Sequence, residues 1–274
     1  MKISLCNEVL SHLTFEEQCA YCASLGYDGL EVAPYTLAAD PSVLTEKDLA
    51  NYRQMASDQG LRITGLHWLL LAPEGLSIVD PDPGVRSRTL DMAARLADMC
   101  AALGGDVLVH GSPRQRLLGD DPEADRARAE EYFAVAGNLA AKAGLIYCVE
   151  PLSRKETNYI NTVAEGAELV RSINQPGLKT MLDTSAAAQT EELSVAEVLQ
   201  QWLPTGLLGH IQINDRNRRA PGQGDDRFRP ILGALLQYGW SQPVSVEPFV
   251  YAPDGAATAA RAIGYLQGIL EGLE

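Results

Sequence analysis

The sequence predicts an α/β protein built as a single (β/α)8 TIM barrel over residues 1–274. Short β-rich runs alternate with longer helical patterns eight times along the chain, and strict alternation of this kind indicates a parallel sheet. The chain has 274 residues, which is close to the length of about 250 residues typical of such a barrel. Eight repeats within this length favour a closed barrel over an open doubly wound sheet.

The eight predicted strands are short and strongly apolar. Runs such as VLVH and IYCVE are continuously apolar rather than alternating, which is typical of parallel strands covered by helices. The predicted strands are residues 3–9, 29–33, 62–68, 106–110, 146–150, 179–183, 209–214 and 244–247.

The helical patterns between these strands carry boundary signals. Thr14 precedes the first helix and Gly26 follows it, while Gly60 and Gly144 end the second and fourth helices in the same way. Pro122 lies in the first turn of the fourth helix, where its missing N–H costs nothing. The predicted helices lie near residues 15–25, 45–59, 85–103, 122–143, 162–173, 194–202, 227–238 and 255–270.

The longest interruptions of the pattern follow the third and seventh strands, at residues 70–83 and 217–226. In a (β/α)8 barrel, the loops that follow strands lie at the C-terminal face, where active sites form. The long loops are therefore predicted on the side of the barrel that carries function. No linker or low-complexity tract divides the chain.

Composition and charge exclude several classes of partner. The formal net charge is −14, which argues against a nucleic-acid partner because phosphate binding needs clustered Lys and Arg. The sequence contains no run of about 18 uninterrupted apolar residues, so no membrane span is predicted. The five cysteines are odd in number and scattered, so we interpret them as buried free thiols in a reducing compartment. These features predict a cytoplasmic protein without a nucleic-acid or membrane partner, and they are compatible with an acidic enzyme that holds a cation and a neutral substrate.

Four oxygen-bearing side chains stand at or near the ends of the last four predicted strands: Glu150, Asp183, Gln212 and Glu247. At the mouth of a barrel they would converge, and the repulsion between buried carboxylates is relieved by a cation. An all-oxygen ligand set suits a hard ion, so the sequence predicts one divalent metal ion, Mn²⁺ or Mg²⁺, with Co²⁺ as an alternative. The competing interpretation is that these residues are caps or salt bridges.

Three further residues are candidates for substrate binding. His67 beside Trp68, on the third strand, would place a hydrogen-bonding imidazole and a flat apolar wall beside a sugar ring. His110 ends the fourth strand. The alternative for each histidine is a buried core residue that already has its hydrogen bonds.

The chain resembles the sugar phosphate isomerase/epimerase family of the xylose-isomerase-like barrel superfamily, which includes D-tagatose/D-psicose 3-epimerases and hydroxypyruvate isomerases. The resemblance extends over essentially the whole chain. It is carried by the motifs GLHWLL (65–70), VHGSPRQR (109–116), VEPLSRKE (149–156), MLDTS (181–185), GHIQINDRNRRAPGQG (209–224) and SVEPF (245–249).

The resemblance implies roles for individual residues. The ketose 3-epimerases hold their metal with Glu, Asp, His and Glu, which places the ligands on Glu150, Asp183, Gln212 and Glu247, with Gln in the third place as in hydroxypyruvate isomerases. The two glutamates are implied as the catalytic acid and base. Glu156 and Arg218 match substrate-binding residues of the family. The epimerases also carry a His where this chain has Ala186, which argues against the usual ketohexose specificity. Family members are commonly dimers or tetramers, so a homodimer or homotetramer is expected.

The sequence therefore predicts a divalent-metal-dependent isomerase or epimerase of a small ketose or hydroxy-keto acid, acting through an enediolate. Three alternatives stay open. The first is a lyase or dehydratase acting on a keto-sugar or keto-inositol at the same metal site. The second is an apurinic-endonuclease-like repair enzyme, which the acidic charge and four histidines disfavour. The third is a non-catalytic sugar-binding or metal-storing barrel.

Overall fold

Eight parallel strands close into a barrel in the computed structural model, which describes residues 1–273. Each strand pairs with the next along the chain, and the last pairs with the first through Ile3 opposite Val244. The strands are β1 (Ile3–Cys6), β2 (Gly29–Val32), β3 (Arg62–Leu66), β4 (Val107–His110), β5 (Ile146–Val149), β6 (Leu178–Asp183), β7 (Leu208–Ile213) and β8 (Val244–Val246). The predicted (β/α)8 barrel is confirmed.

The described residues contain nine α-helices, of which the sixth follows β6 directly and was not predicted. They are α1 (Phe15–Leu25), α2 (Glu46–Asp58), α3 (Pro83–Leu103), α4 (Pro122–Lys142), α5 (Val163–Ile173), α6 (Thr184–Thr190), α7 (Val195–Trp202), α8 (Phe228–Gln237) and α9 (Gly255–Glu271). The α6 helix begins at the end of β6, where the Asp183 carboxylate accepts a hydrogen bond from the Ala186 N–H at 2.7 Å.

Residues that predicted helix boundaries in the sequence lie at helix ends in the structure. Thr14 caps α1 in a reciprocal capping box with Glu17, and Gly26 ends the helix with a φ of 87°. Pro122 occupies the first turn of α4, as predicted. These local contacts satisfy N–H groups that a helix leaves without an intrahelical partner.

Strands β1 and β3 are shorter than predicted. Residues Asn7–Leu10 form a 3-10 helix instead of extending β1. The buried Asn7 side chain explains the turn, because its oxygen accepts from the Ala33 N–H at 2.8 Å while its amide group donates to Gln18 and Thr36. Strand β3 ends at Leu66, and Trp68 two residues later has a φ of 52°.

The core is apolar and continuous between the barrel and its helices. All five cysteines are free and buried within the described residues, in agreement with the sequence interpretation. Across residues 1–273, the helices are all too short or too polar to cross a bilayer.

The approach of β3 to β4 requires a glycine. Gly65 pairs with Val107, and a Cβ on Gly65 would lie 2.4 Å from Val107 Cγ1 and 2.5 Å from the Val107 carbonyl oxygen. A backbone oxygen cannot rotate away as a flexible side chain does, so a larger residue would push the two strands apart.

We therefore expect Gly65→Ala to lower the free energy of unfolding by roughly 1–3 kcal/mol, the usual cost of overpacking a core. Urea denaturation followed by circular dichroism measures this loss. The control is Gly268→Ala on the exposed face of α9, where a new Cβ has no neighbour within 4 Å among the described residues and helix propensity favours Ala. Equal stability of the two variants would contradict the close approach.

Candidate metal centre and substrate pocket

The four predicted ligand residues lie together at the C-terminal end of the barrel. Asp183 ends β6, Gln212 lies in β7, and Glu150 and Glu247 directly follow β5 and β8. Asp183 and Gln212 are partners in the strand register. All four side chains are buried, with at most 5% of their surface exposed.

The carboxylates of Glu150, Asp183 and Glu247 converge, with ligand oxygens that all lie within 4.8 Å of one another. Among residues 1–273, Asp183 Oδ2, Glu247 Oε2 and the Gln212 side-chain oxygen are buried without a hydrogen-bond partner. Buried polar atoms are nearly always satisfied, because leaving them unpaired is costly. The residues present therefore fit a hard divalent cation, which would accept all of these oxygens.

Burial raises the pKa values of all three acids, and repulsion within the cluster adds to the shifts of Glu150 and Glu247. Burial is the main reason that the pKa values of Glu150 and Glu247 lie well above the ordinary range. The charge of Asp183 raises the pKa of Glu150 further, and the charge of Glu150 does the same to the pKa of Glu247. Burial also raises the pKa of Asp183 to about 7, although the N–H of Ala186 opposes the shift. Without a cation, the cluster therefore resists full ionisation near neutral pH.

Glu31 of β2 is a fourth buried acid in this region, but its oxygens are paired. Gln212 Nε2 donates to Glu31 Oε1 at 2.8 Å, and His210 Nε2 lies 2.7 Å from Glu31 Oε2. The Ser245 hydroxyl also donates to Oε2. Burial opposes ionisation, yet the histidines and this hydroxyl lower the pKa of Glu31 to about 2. The sequence offered no indication of a role for Glu31.

His67 links the acidic cluster to Glu8, which sequence reasoning also left without a role. His67 Nε2 lies 2.9 Å from Glu8 Oε2 and 3.9 Å from Glu247 Oε1. Burial opposes protonation, but the charges of Glu8 and Glu31 raise the pKa of His67. Glu8 and Glu31 therefore favour the charged form of the imidazole that lies next to Glu247.

A cavity next to the carboxylates contains most of the predicted substrate-binding residues. Arg218 lies at its rim, with its guanidinium carbon 4.5 Å from the centre of the Phe249 ring and Nη2 3.8 Å from Glu156 Oε1. The Trp68 ring meets Phe249 edge to face at 6.3 Å. The lining residues are His67, Trp68, Gly111, Ser112, Pro113, Glu150, Leu152, Glu156, Glu247 and Phe249.

The structure places His110 away from this lining. Its Nδ1 lies 2.7 Å from the Tyr147 hydroxyl, and its ring packs against Tyr132 and Phe133. Burial, together with the charge of Arg116, lowers the pKa of His110 well below its ordinary value. One ring nitrogen is thus paired within the core, whereas His110 Nε2 is buried without a partner among the described residues, and the substrate contact of His110 stays a prediction.

Arg116 is a further residue that sequence reasoning missed. It is fully buried, and its Nη2 donates to the Glu150 carbonyl oxygen at 2.6 Å. Burial lowers the pKa of Arg116 to about 10, while the charge of Glu150 raises it. The sequence offers no local signal for this role, because Arg116 follows β4 and the group it binds follows β5.

Comparison with known proteins places the chain in a family. The family model described as a xylose isomerase-like TIM barrel matches residues 19–269. A D-psicose 3-epimerase from Agrobacterium fabrum is 30% identical over 232 residues, which cover 83% of this chain and 77% of the relative. A 3-dehydro-D-guloside 4-epimerase from Escherichia coli is 24% identical over 279 residues, which cover 97% and 99% of the two chains.

A solved structure shares the fold. A crystal structure of D-psicose 3-epimerase in the presence of D-fructose superposes with a TM-score of 0.82 at 24% identity, covering 100% of this chain and 99% of that one. The family model covers most of the sequence, and the Agrobacterium relative is similar over 83% of it. The chain therefore belongs to the xylose isomerase-like TIM barrel family, as its motifs predicted.

Proposed function

We propose that this protein is a divalent-metal-dependent isomerase or epimerase of a small ketose or hydroxy-keto acid. One observation carries the proposal: three buried acids converge beside a cavity, and within the described residues two of them and the adjacent Gln212 have side-chain oxygens that lack partners. The curated relatives named as epimerases of sugars support the same class of reaction.

The metal ligands in this proposal are Glu150, Asp183, Gln212 and Glu247. When bound there, a divalent cation polarises the substrate carbonyl and favours loss of the proton on the neighbouring carbon. The all-oxygen ligand set suits Mn²⁺ or Mg²⁺, with Co²⁺ as an alternative.

Glu150 and Glu247 are the proposed acid and base. They follow β5 and β8, so they approach the cavity from different parts of the barrel wall. One carboxylate removes the proton next to the carbonyl, and the other returns a proton from the second face, which inverts the carbon centre. Proton transfer by a single carboxylate between adjacent carbons would give aldose–ketose isomerisation instead.

The remaining cavity residues would bind the sugar. Trp68 and Phe249 provide apolar surface, His67 a hydrogen-bonding imidazole, and Glu156 and Arg218 charged groups at the rim. Ala186 is buried next to the centre, and its backbone N–H binds Asp183. Because Ala186 brings no side-chain donor, we propose a substrate that differs from those of the epimerases with His at this place.

The lyase or dehydratase alternative has no support among the relatives described above, which are named as epimerases. The repair-enzyme alternative conflicts with the acidic net charge of −14 and with a carboxylate-rich centre. Hydrogen exchange with solvent distinguishes the proposed enzyme from a sugar-binding barrel. Only the enzyme would replace a carbon-bound hydrogen of the substrate with deuterium from D₂O.

We expect the Mn²⁺-loaded protein to incorporate deuterium from D₂O next to the carbonyl of at least one member of a panel of ketoses and hydroxy-keto acids. Glu150→Gln and Glu247→Gln should each lower turnover by roughly 10²–10⁴-fold, the usual contribution of a general acid or base, while metal binding largely survives. NMR detects both the exchange and the products. Glu123→Gln, an exposed control on α4, should have full activity.

Undiminished turnover in Glu150→Gln would contradict its proposed role. Appearance of a deoxy or unsaturated product would instead identify a lyase, and the absence of exchange with every substrate would favour a binding protein.

We also expect Mn²⁺ affinity to weaken as the pH falls through about 7. The metal needs ionised carboxylates, whereas burial raises the pKa of Asp183 to about 7 and those of Glu150 and Glu247 well above the ordinary range. Binding must then release protons, and the affinity should fall about tenfold per pH unit for each proton released.

Isothermal titration calorimetry in buffers of different ionisation enthalpy measures the number of protons released. Asp183→Asn should release fewer protons, whereas Asp98→Asn, an exposed control on α3, should match the unmodified protein. An affinity that does not change with pH would show that the three acids are not the ligands.

A further inference from the structure

The side-chain amide of Gln212 has two ends of similar size and opposite chemistry. Its oxygen accepts hydrogen bonds and binds cations, whereas its NH₂ group has two N–H donors and presents positive hydrogens. Which end faces the carboxylates therefore decides whether Gln212 helps to bind a cation or repels it. The sequence alone does not determine this choice, because it depends on the partner at the other end.

In the structure, the nitrogen end is held from the opposite side of the barrel. Gln212 on β7 is fully buried, and its Nε2 donates to Glu31 Oε1 on β2 at 2.8 Å. Its oxygen is without a partner among the described residues. An ionised carboxylate can only accept hydrogen bonds, so Glu31 selects the NH₂ end and leaves the oxygen for the metal centre.

Glu31 is itself fixed in orientation. Its second oxygen, Oε2, lies 2.7 Å from His210 Nε2 and accepts from the Ser245 hydroxyl. That hydroxyl also contacts the Ser4 hydroxyl at 2.8 Å. With a hydroxyl donor and an imidazole beside Oε2, the carboxylate presents Oε1 to Gln212.

From these contacts we infer that Glu31 is a positioning residue that fixes the orientation of the Gln212 amide and so makes Gln212 an oxygen ligand. The inference rests on the proposed metal function, since it concerns how that site is assembled. Glu31 itself acts through Gln212 and is given no contact with the substrate.

Glu31→Gln tests the inference because it changes the hydrogen-bonding pattern with little change in shape. The Ser245 hydroxyl donates at the place of Oε2 and would hold the new amide oxygen there, which leaves the NH₂ group of residue 31 facing Gln212. Two NH₂ groups cannot donate to each other. The Gln212 amide would then rotate, accept from residue 31 with its oxygen, and turn its NH₂ group towards the carboxylates.

We expect Glu31→Gln to weaken Mn²⁺ binding by about 10–100-fold, the usual cost of losing the partner that orients a metal ligand. Adding Gln212→Glu to that variant should restore most of the affinity. The new carboxylate accepts from the residue 31 NH₂ with one oxygen and offers the other to the metal, while the total charge of the pair is unchanged. Calorimetry and the EPR signal of bound Mn²⁺ provide readouts independent of turnover.

The outcomes separate the two proposals. Absence of Mn²⁺ and Mg²⁺ binding in the unmodified protein would overturn the proposed function. Binding there together with unchanged affinity in Glu31→Gln would overturn the inference alone, as would a double variant that folds but recovers no affinity.

If Glu31→Gln does not fold, the unmodified protein decides the question. Its ¹⁵N spectrum should show a Gln212 NH₂ signal, assigned by its loss in Gln212→Glu, that stays protected from hydrogen exchange with and without Mg²⁺. Rapid exchange of that NH₂ group would contradict the bond to Glu31.

Discussion

The burial of several acidic side chains at one end of the barrel is the constraint on which the rest of the site depends. An ionised carboxylate removed from water needs donors or a cation. Glu31 has both a histidine and a hydroxyl, and Glu8 has His67. Asp183 and Glu247 keep oxygens that the described residues leave unpaired. Glu31, whose two oxygens both accept hydrogen bonds, thus contrasts with the acids that are proposed to bind the metal.

The closed sheet makes this arrangement achievable. Strand ends meet at the barrel mouth although they come from distant parts of the sequence, and each is held by the backbone hydrogen bonds of its neighbours. The close approach at Gly65 and the helix caps serve that closure. The proposed ligands lie in strands or directly after them. The free-energy cost of bringing like charges together is therefore offset by the folding of the whole barrel.

Two groups of side chains with different chemistry lie at the mouth of the barrel. Carboxylates at its centre would handle protons and the metal, while Trp68, Phe249 and Arg218 form an outer surface of aromatic rings and a cation. Two relatives with this family's barrel are named for epimerisation at different positions, carbon 3 and carbon 4. This contrast fits a division in which the centre sets the type of reaction and the outer surface selects the substrate.

The sequence by itself determined the barrel, most element bounds and the convergence of Glu150, Asp183, Gln212 and Glu247, because the repeating pattern and the strand-end positions are local properties. The tertiary structure decided the rest. The bond between Gln212 and Glu31 joins residues 181 positions apart, and no local pattern encodes a contact across the barrel. For the same reason, the sequence could not show that the His110 ring packs among aromatic rings, because strand alternation does not show which face of a continuously apolar strand points inward.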